Sequence, residues 1–451
     1  MFGTDGIRGL ANREPITPLS AVKVAMAAAV ILAAPKAREK RPHVVIGRDT
    51  RASGEFLEQA LSAGLAAAGV DVLTAGVIPT PAVAYLTRIS GAAFGVVISA
   101  SHNPFDDNGI KFFNGSGYKL TDAEELAIEN AFSGVTPASP LPVGEGIGRI
   151  RSCSGAVDQY VGFAVSTVPP NASFAGLRVV LDCANGAAYQ TTPMALRSLG
   201  AGVELVHAEP DGYNINAGCG SMHPAVIAQR VKAQLPGAIG VAHDGDADRV
   251  LFCDENGEIV DGDELLALAA VDLLAQGRLR ENTLVATVMS NYGLDAALAE
   301  RGAEVLRTGV GDRQVIEAMV ERDLNLGGEQ SGHLVFRDYT TTGDGLIAAL
   351  QVLAIVASTD RPLCELRKIL RKYPQVQRNI RVREKLPFAE LSPVQAALKK
   401  AELALSGQGR VLLRYSGTEP KARILLEGPD QSQLLRLADT LEAALRSSLG
   451  A

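Results

Sequence analysis

Val179-Val-Leu-Asp-Cys-Ala-Asn185 is an apolar run that ends in polar residues, and downstream of it glycines 200 and 202 precede Val203-Glu-Leu-Val206. A short apolar run, a helix-length spacer, a glycine stop and a second short apolar run read as strand, helix, strand. The unit occurs twice more. His43 to Gly47 leads through Arg48-Asp49-Thr50-Arg51 into a helix from about Gly54 to Ala68, a stop at Gly69 and the strand Val70-Asp-Val-Leu73. Leu284-Val-Ala-Thr-Val-Met-Ser-Asn291 is followed by a helix, Gly302 and Ala303-Glu-Val-Leu306. Three such units, far apart in the chain, imply three related α/β domains. A helix between successive strands favours largely parallel sheets with right-handed crossovers.

The end of the chain has another pattern. Val376 to Val382 alternates like a strand, Ser392 starts a helix, Val411-Leu-Leu413 and Ile424-Leu-Leu-Glu427 are strands, and a helix from Gln431 to Ser447 closes the chain. Strands with terminal helices suggest an α+β domain. Thr136 to Gly148, rich in Pro and Gly, leads out of the first domain. The expected domains are 1–150, 151–258, 259–368 and 369–451.

Composition excludes several classes. Of 451 residues, 47% are hydrophobic and 21% charged, as in an ordinary soluble globular protein. Aromatics are 5%, Trp is absent and the net charge is −7, so neither a stacking platform nor a global field favours nucleic acid or anionic membrane. Five cysteines without CxxC spacing suit a reducing cytoplasm. The apolar run Val22 to Ala34 contains Lys23 and is short for a membrane span, so it reads as a buried Ala-rich helix.

Four stretches carry chemistry. The strand Phe94 to Ile98 ends in Ser99-Ala-Ser-His-Asn-Pro104, offering Ser101 as a nucleophile and His102 as a proton carrier at a sheet edge. His243-Asp-Gly-Asp-Ala-Asp-Arg249 lies between two strands. In an extended segment Asp244, Asp246 and Asp248 would share one face, where carboxylates repel unless a hard cation sits among them; the alternative is a solvated acidic loop. A calcium EF-hand fails because Arg249 stands where that loop needs glycine. Gly327-Gly-Glu-Gln-Ser-Gly-His333 places Glu329 and Ser331 where they could bond neighbouring hydroxyls of a polyol, just after the glycine-rich turn Gly309-Val-Gly-Asp-Arg313. Arg414-Tyr-Ser-Gly-Thr-Glu-Pro-Lys-Ala-Arg423 reads as either a phosphate cradle or a charged hairpin. One stretch per expected domain suggests a sugar phosphate bound where the four meet.

These stretches, with Phe2-Gly-Thr-Asp-Gly-Ile-Arg-Gly9, resemble in order the motifs of the α-D-phosphohexomutase superfamily over the whole chain. Asn214-Ile-Asn216 with Cys219-Gly-Ser221 resembles its glucosamine-phosphate branch; Tyr415 departs from it, standing where that branch usually has Pro. The resemblance implies a four-domain phosphohexomutase architecture, three related α/β domains with mixed sheets plus a C-terminal α+β domain. It implies Ser101 as the phosphoserine, and one Mg²⁺ held by Asp244, Asp246, Asp248 and a phosphoserine oxygen. Arg8, His102 and Lys111 match positions near the reacting group. Arg249, Thr308, Glu329 and Ser331 would contact the sugar phosphate, and Arg414, Ser416, Gly417, Thr418 and Arg423 would hold the phosphate not being transferred. The reaction implied is glucosamine 6-phosphate to glucosamine 1-phosphate through glucosamine 1,6-bisphosphate, which supplies UDP-N-acetylglucosamine synthesis. A small-molecule sugar phosphate is the expected partner, with no nucleic acid or membrane, for a cytoplasmic monomer or homodimer.

Overall fold

The computed structural model describes residues 1–451 apart from 4, 34–40, 135–140, 171, 236, 417–418 and 451. Within the Thr136-to-Gly148 segment, residues 136–140 are therefore outside the described residues. The chain divides into two compact units: residues 1–289 with 303–369, and residues 290–302 with 370–451.

The first unit holds three sheets. The first contains β1 (Ile7–Leu10), β2 (His43–Arg48), β3 (Asp71–Val77), β4 (Phe94–Ile98), β5 (Asp107–Asn114) and β6 (Ile150–Ser152), in the order β1-β5-β4-β2-β3-β6. The second contains β7 (Arg178–Asp182), β8 (Gly202–Val206), β9 (Ile239–His243), β10 (Val250–Cys253) and β11 (Ile259–Val260), ordered β11-β10-β9-β7-β8. The third contains β12 (Thr283–Thr287), β13 (Glu304–Thr308), β14 (Leu326–Gly328) and β15 (Leu334–Phe336), ordered β13-β12-β14-β15. Because β6 pairs with β3, the first sheet runs to Ser152, past the expected boundary at 150.

One plan repeats in all three. The first strand of each strand–helix–strand unit (β2, β7, β12) lies between two parallel neighbours, the second strand of the unit and a third strand. The chain then returns antiparallel as β5, β10 or β15. The sheets are thus mixed, and the largely parallel pairing expected from the units alone holds for this three-strand core and, in the first sheet, for β6 beside β3. The reason is loop length: residues 99–106, 244–249 and 329–333 are too few for a parallel crossover, which needs about a dozen. All three loops leave the C-terminal ends of the parallel strands, where α/β proteins bind ligands.

Residues 2–9 are more than a bend. Gly3 N donates to Gly6 O (2.8 Å), closing a tight turn. The chain then runs as β1, antiparallel to β5 at the sheet edge, where glycine is tolerated. The Ala-rich segment is a helix, Pro18–Leu32, capped by Thr17 Oγ1, which accepts from Ser20 N. Its alanines let helix Ser53–Ala67 come close: a Cβ on Gly64 would lie 2.6 Å from the Val22 carbonyl oxygen. Val24, Ala28, Leu57, Leu61 and Leu65 from these helices join Val44, Ile46, Phe94 and Val96 of the sheet in one core.

The second unit has one antiparallel sheet of β16 (Gln375–Arg381), β17 (Arg410–Tyr415) and β18 (Lys421–Glu427), ordered β16-β18-β17. Helices Ser392–Leu405 and Gln431–Leu449 cover it. Leu434, Leu437, Leu441 and Leu445 fall on one face of the second helix and pack on Val376, Ile380, Ile424 and Leu426. The remaining member of the unit is the crossover between β12 and β13, with helix Gly293–Ala299.

Candidate active site

Ser101 lies in the turn after β4 with a φ of 50°. That left-handed conformation costs a non-glycine residue roughly 1–2 kcal/mol. Several bonds hold it. Ser101 N donates to Ser99 Oγ (2.9 Å), which donates to Asp49 Oδ2 (2.5 Å). Arg51 is fully buried, pairs with Asp49 and donates to Asn103 O (2.5 Å). Asn216 Nδ2, from the second domain, donates to Ser101 O (2.8 Å) and Asn103 O (3.0 Å). A hydrogen bond from a charged group contributes about 1.5–3 kcal/mol, so the clamp outweighs the strain. The product is a rigid loop with Ser101 Oγ aimed at Asp244: the hydroxyl donates to Asp244 Oδ2 (2.7 Å) and lies 3.3 Å from His102 Nδ1.

The aspartates do converge, but not by strand alternation. β9 ends at His243, and residues 244–249 form a turn with Ala247 at φ 56°. Two carboxylates on an extended strand face would be about 7 Å apart, at i and i+2; the turn instead brings oxygens of Asp244, Asp246 and Asp248 within 4.8 Å of one another. Gly245 permits this, since a Cβ there would lie 2.6 Å from the Ser101 carbonyl oxygen. Asp246 Oδ1 and Asp248 Oδ1 are buried with no hydrogen-bond partner. Burial and the neighbouring Asp248 and Asp246 push the Asp244 carboxyl well above the usual range. Burial also disfavours charge on Asp248, but His333, Lys111 and Arg249 outweigh it and hold that carboxyl low. Compact, all-oxygen and with two unsatisfied oxygens, the trio fits a hard divalent cation.

Fixed cations surround it. Lys111 Nζ lies 3.0 Å from Asp246 Oδ2 and 3.1 Å from Asp5 Oδ2. Burial disfavours its charge, but Asp246 and Asp5 prevail and keep the amine protonated. Arg8 is paired with Asp5. Arg249 is held charged against burial by Asp248, Asp244 and Glu329. His102 shifts the other way: burial, then Arg249 and Arg8, lower its pKa, so the imidazole is neutral and can accept a proton.

The sugar-loop candidates sit in the tight turn after β14. Gly332 N donates to Glu329 O (3.1 Å) and Ser331 Oγ lies 3.4 Å from Glu329 Oε2. Glu329 Oε1 accepts from Gly311 N (3.2 Å), tying this loop to the glycine-rich turn; Thr308, at the end of β13, bonds Gly309 O (3.1 Å). In the second unit, Arg414 and Arg423 are directly opposed across β17 and β18. Burial and Arg423 together lower the Arg414 pKa, whereas Arg423 has Glu419 as an acidic partner (3.3 Å), so an anion here would relieve Arg414 above all. Arg423 Nη2 donates to Ser416 Oγ (3.2 Å). Gly417 and Thr418 lie outside the described residues. Tyr415 alternates to the other face, donates to Leu386 O (2.6 Å) and stacks on Phe388 (4.2 Å between centroids).

Sequence reasoning gave no role to Asp5, Thr80, Lys119, Asp312 or His333. Thr80 Oγ1 donates to Asp246 Oδ2 (2.7 Å), Lys119 bridges Asp5 and Asp312, and His333 Nδ1 lies 3.8 Å from Asp248 Oδ2. Asp5, Asp312 and His333 stood inside quoted motifs; Thr80 and Lys119 had no local signal. A second donor cluster, Asp182, His207 and Cys219, is a brace: Asp182 Oδ2 accepts from Gly220 N (2.9 Å) and bonds His207 Nδ1 (3.1 Å), while burial and Asp182 push the Cys219 thiol up to about 12.

Family models of phosphoglucomutase/phosphomannomutase match in order: alpha/beta/alpha domain I over residues 1–138, domain II over 158–257, domain III over 261–373 and the C-terminal domain over 378–444. A phosphoglucosamine mutase of Citrifermentans bemidjiense is 48% identical over 451 residues, covering 100% of this chain and 98% of the relative. The chain belongs to the phosphoglucosamine mutase family. One from Symbiobacterium thermophilum is 49% identical over 452 residues, covering 100% and 99%. Among solved structures, a phosphoglucomutase/phosphomannomutase family protein from Burkholderia thailandensis superposes with a TM-score of 0.82 at 25% identity, covering 100% of this chain and 99% of that one. An Aspergillus fumigatus N-acetylphosphoglucosamine mutase, solved with GlcNAc-6P and magnesium, shares the fold (TM-score 0.67, 18% identity, 99% and 95% covered). Among the described residues no single helix is long and apolar enough to cross a membrane.

Proposed function

We infer that the chain interconverts glucosamine 6-phosphate and glucosamine 1-phosphate, with Ser101 carrying the phosphoryl group in transit. Family membership carries the reaction class and the sugar. The contact that supports Ser101 as carrier is its Oγ at 2.7 Å from Asp244, in a loop held rigid by Asp49, Arg51 and Asn216.

Ser101 enters the cycle phosphorylated. O1 of glucosamine 6-phosphate attacks phosphorus, the O1–P bond forms and the Oγ–P bond breaks. His102, neutral and 3.3 Å from Ser101 Oγ, takes the O1 proton and passes it to the departing Oγ. Glucosamine 1,6-bisphosphate then reorients; Oγ takes back the 6-phosphoryl group, and the proton returns to O6 of the departing glucosamine 1-phosphate. Lys111, protonated, and Arg8 hold charge beside the transferring group. A Mg²⁺ ion held by Asp244, Asp246, Asp248 and a phosphoserine oxygen would supply neutralisation of phosphoryl charge there. Glu329 and Ser331 read sugar hydroxyls, with Arg249 and Thr308 beside them. Arg414, Ser416 and Arg423, together with Gly417 and Thr418, hold the idle phosphate. The five free cysteines support a cytoplasmic setting.

Tyr415 does not argue for another sugar, because its ring packs on Phe388 and away from the Arg414–Arg423 face. Comparing kcat/KM on glucosamine, glucose and mannose 6-phosphates tests the assignment. The expected order puts glucosamine first; a preference for glucose or mannose phosphate overturns the substrate, and net release of inorganic phosphate overturns the mutase reaction.

A further inference from the structure

Seven acidic and basic side chains from three domains alternate along a path that begins and ends on the aspartate loop. Asp246 meets Lys111 (3.0 Å), Lys111 meets Asp5 (3.1 Å), and Asp5 meets Lys119 (2.5 Å). Lys119 also pairs with Asp312, which lies 3.5 Å from His333 Nε2; His333 Nδ1 lies 3.8 Å from Asp248. The path therefore starts on one aspartate of the loop and ends on another. Asp5, Lys111 and Lys119 belong to the first sheet's domain, Asp246 and Asp248 to the second, Asp312 and His333 to the third.

Lys119 is the link on which the rest depends. It sits on the short segment after β5, with its side chain nearly buried, and touches neither the aspartate loop nor Ser101 directly. Asp5 and Asp312 are close enough to repel, and the ammonium between them removes that repulsion. Burial opposes its charge, yet Asp312 and Asp5 hold the amine protonated. Without it, two poorly solvated carboxylates would face each other and separate or take up protons. Either change loosens Lys111, which orients Asp246, and removes the carboxylate facing His333, leaving Gly343 N (3.1 Å) to hold the imidazole ring that faces Asp248.

We propose that Lys119 is a positioning residue for phosphoryl transfer: by bridging Asp5 and Asp312 it closes a ring that fixes the cation-binding aspartates and ties the phosphoserine domain to the sugar-reading domain. The proposal rests on the mutase reading. It predicts that removing Lys119 affects cation binding and kcat, while sugar-phosphate KM, set by other side chains, changes little. Asp312, at the start of helix Asp312–Glu321, should be coupled to it.

The test uses the full-length protein with Lys119→Met, Lys119→Arg, Asp312→Asn and the Lys119→Met/Asp312→Asn pair. Mg²⁺ affinity is measured by titration calorimetry without sugar, and kcat and KM in the mutase assay, with folding checked by circular dichroism and thermal melting. Lys119→Met should weaken Mg²⁺ and lower kcat by about 10–100-fold, the range for groups that orient metal ligands. KM should stay within about threefold, and Lys119→Arg should restore most of the loss. The pair should lose no more than Lys119→Met alone, because neutralising Asp312 removes one unpaired charge. A folded Lys119→Met variant with native kcat and Mg²⁺ affinity overturns the proposal. So does a loss that only tracks the unfolded fraction, or one that adds independently in the pair. If the native chain turns over no sugar phosphate, the mutase reading fails, while the Mg²⁺ titration still decides whether the ring fixes the aspartates.

Discussion

The aspartate loop and the Arg414–Arg423 loop, both assigned to phosphate in the proposed function, are built in opposite ways. Around Asp244, Asp246 and Asp248, charges are buried and paired, and the backbone is clamped by bonds from distant segments. At Arg414 and Arg423, two cations face each other across two strands, partly exposed, with Glu419 as the counter-charge to one. A site where bonds break must be organised before substrate arrives, because reorganising buried charge during the reaction is costly. A site that only holds an idle phosphate can leave its cations mutually repelled and let the anion relieve them.

The sharpest way to break this contrast is Ser101→Ala. Turnover should fall on the order of 10⁴-fold or more, the scale seen when a reacting nucleophile is removed. The melting temperature should change little, because the clamp on the loop uses the backbone of Ser101 and the side chains of Ser99, Asp49 and Arg51. Substantial residual turnover would contradict the role. Next is Asp246→Asn, which takes one charge from the cation site and from Lys111. Steady-state assays across Mg²⁺ concentrations should give a kcat roughly 10²-fold lower and a raised Mg²⁺ requirement. An unchanged Mg²⁺ requirement would remove Asp246 from the cation site.

Arg423→Ala addresses the other side. Loss of a charge-assisted contact worth about 1.5–3 kcal/mol should raise KM by about 10–100-fold, with a smaller effect on kcat and little on melting. If kcat falls as much as kcat/KM, the idle-phosphate loop takes part in the chemistry and the contrast weakens.

The smallest expected effect lies away from both loops. Asp344 caps helix Gly345–Thr359 by accepting from Ile347 N, and it accepts from the Tyr160 hydroxyl (2.8 Å). Burial pushes its carboxyl up to about 6, against those lowering bonds, from an ordinary value of 3.8. Between these values the folded chain binds a proton that the unfolded chain has released, so this group's contribution to stability declines as pH rises and levels off above about 6. Asn has no charge to bury. Asp344→Asn should therefore gain of order 2 kcal/mol over native above pH 6, with the gain vanishing below about pH 4. Melting curves across that range, with turnover as the control, check it; a pH-independent difference would refute the burial argument.

Much of this was legible in the sequence because the evidence was local. Glycine stops and short apolar runs marked the three strand–helix–strand units; each candidate loop stands directly after a strand, its residue types made it a candidate, and the family resemblance supplied its expected role. The antiparallel returns were not legible from the units, since they follow from loop length after the third strand. Nor was the convergence of the aspartates correctly derived: period-two alternation suggested it, whereas a turn through Ala247 produces it. Thr80 and Lys119 carried no signal because their partners, Asp246 and Asp312, are distant in the chain and meet them only after the domains pack. Buried charge networks of this kind are read from coordinates, not from spacing.

The central claim is that Ser101 carries the phosphoryl group. It is tested most directly by mass spectrometry of the full-length protein incubated with glucosamine 1,6-bisphosphate and Mg²⁺, followed by peptide mapping. The account predicts one added phosphoryl group, located on Ser101, which is discharged when glucosamine 6-phosphate is added and is absent from the Ser101→Ala variant. A phosphoryl group on another residue, or turnover by a protein that never carries one, would contradict it.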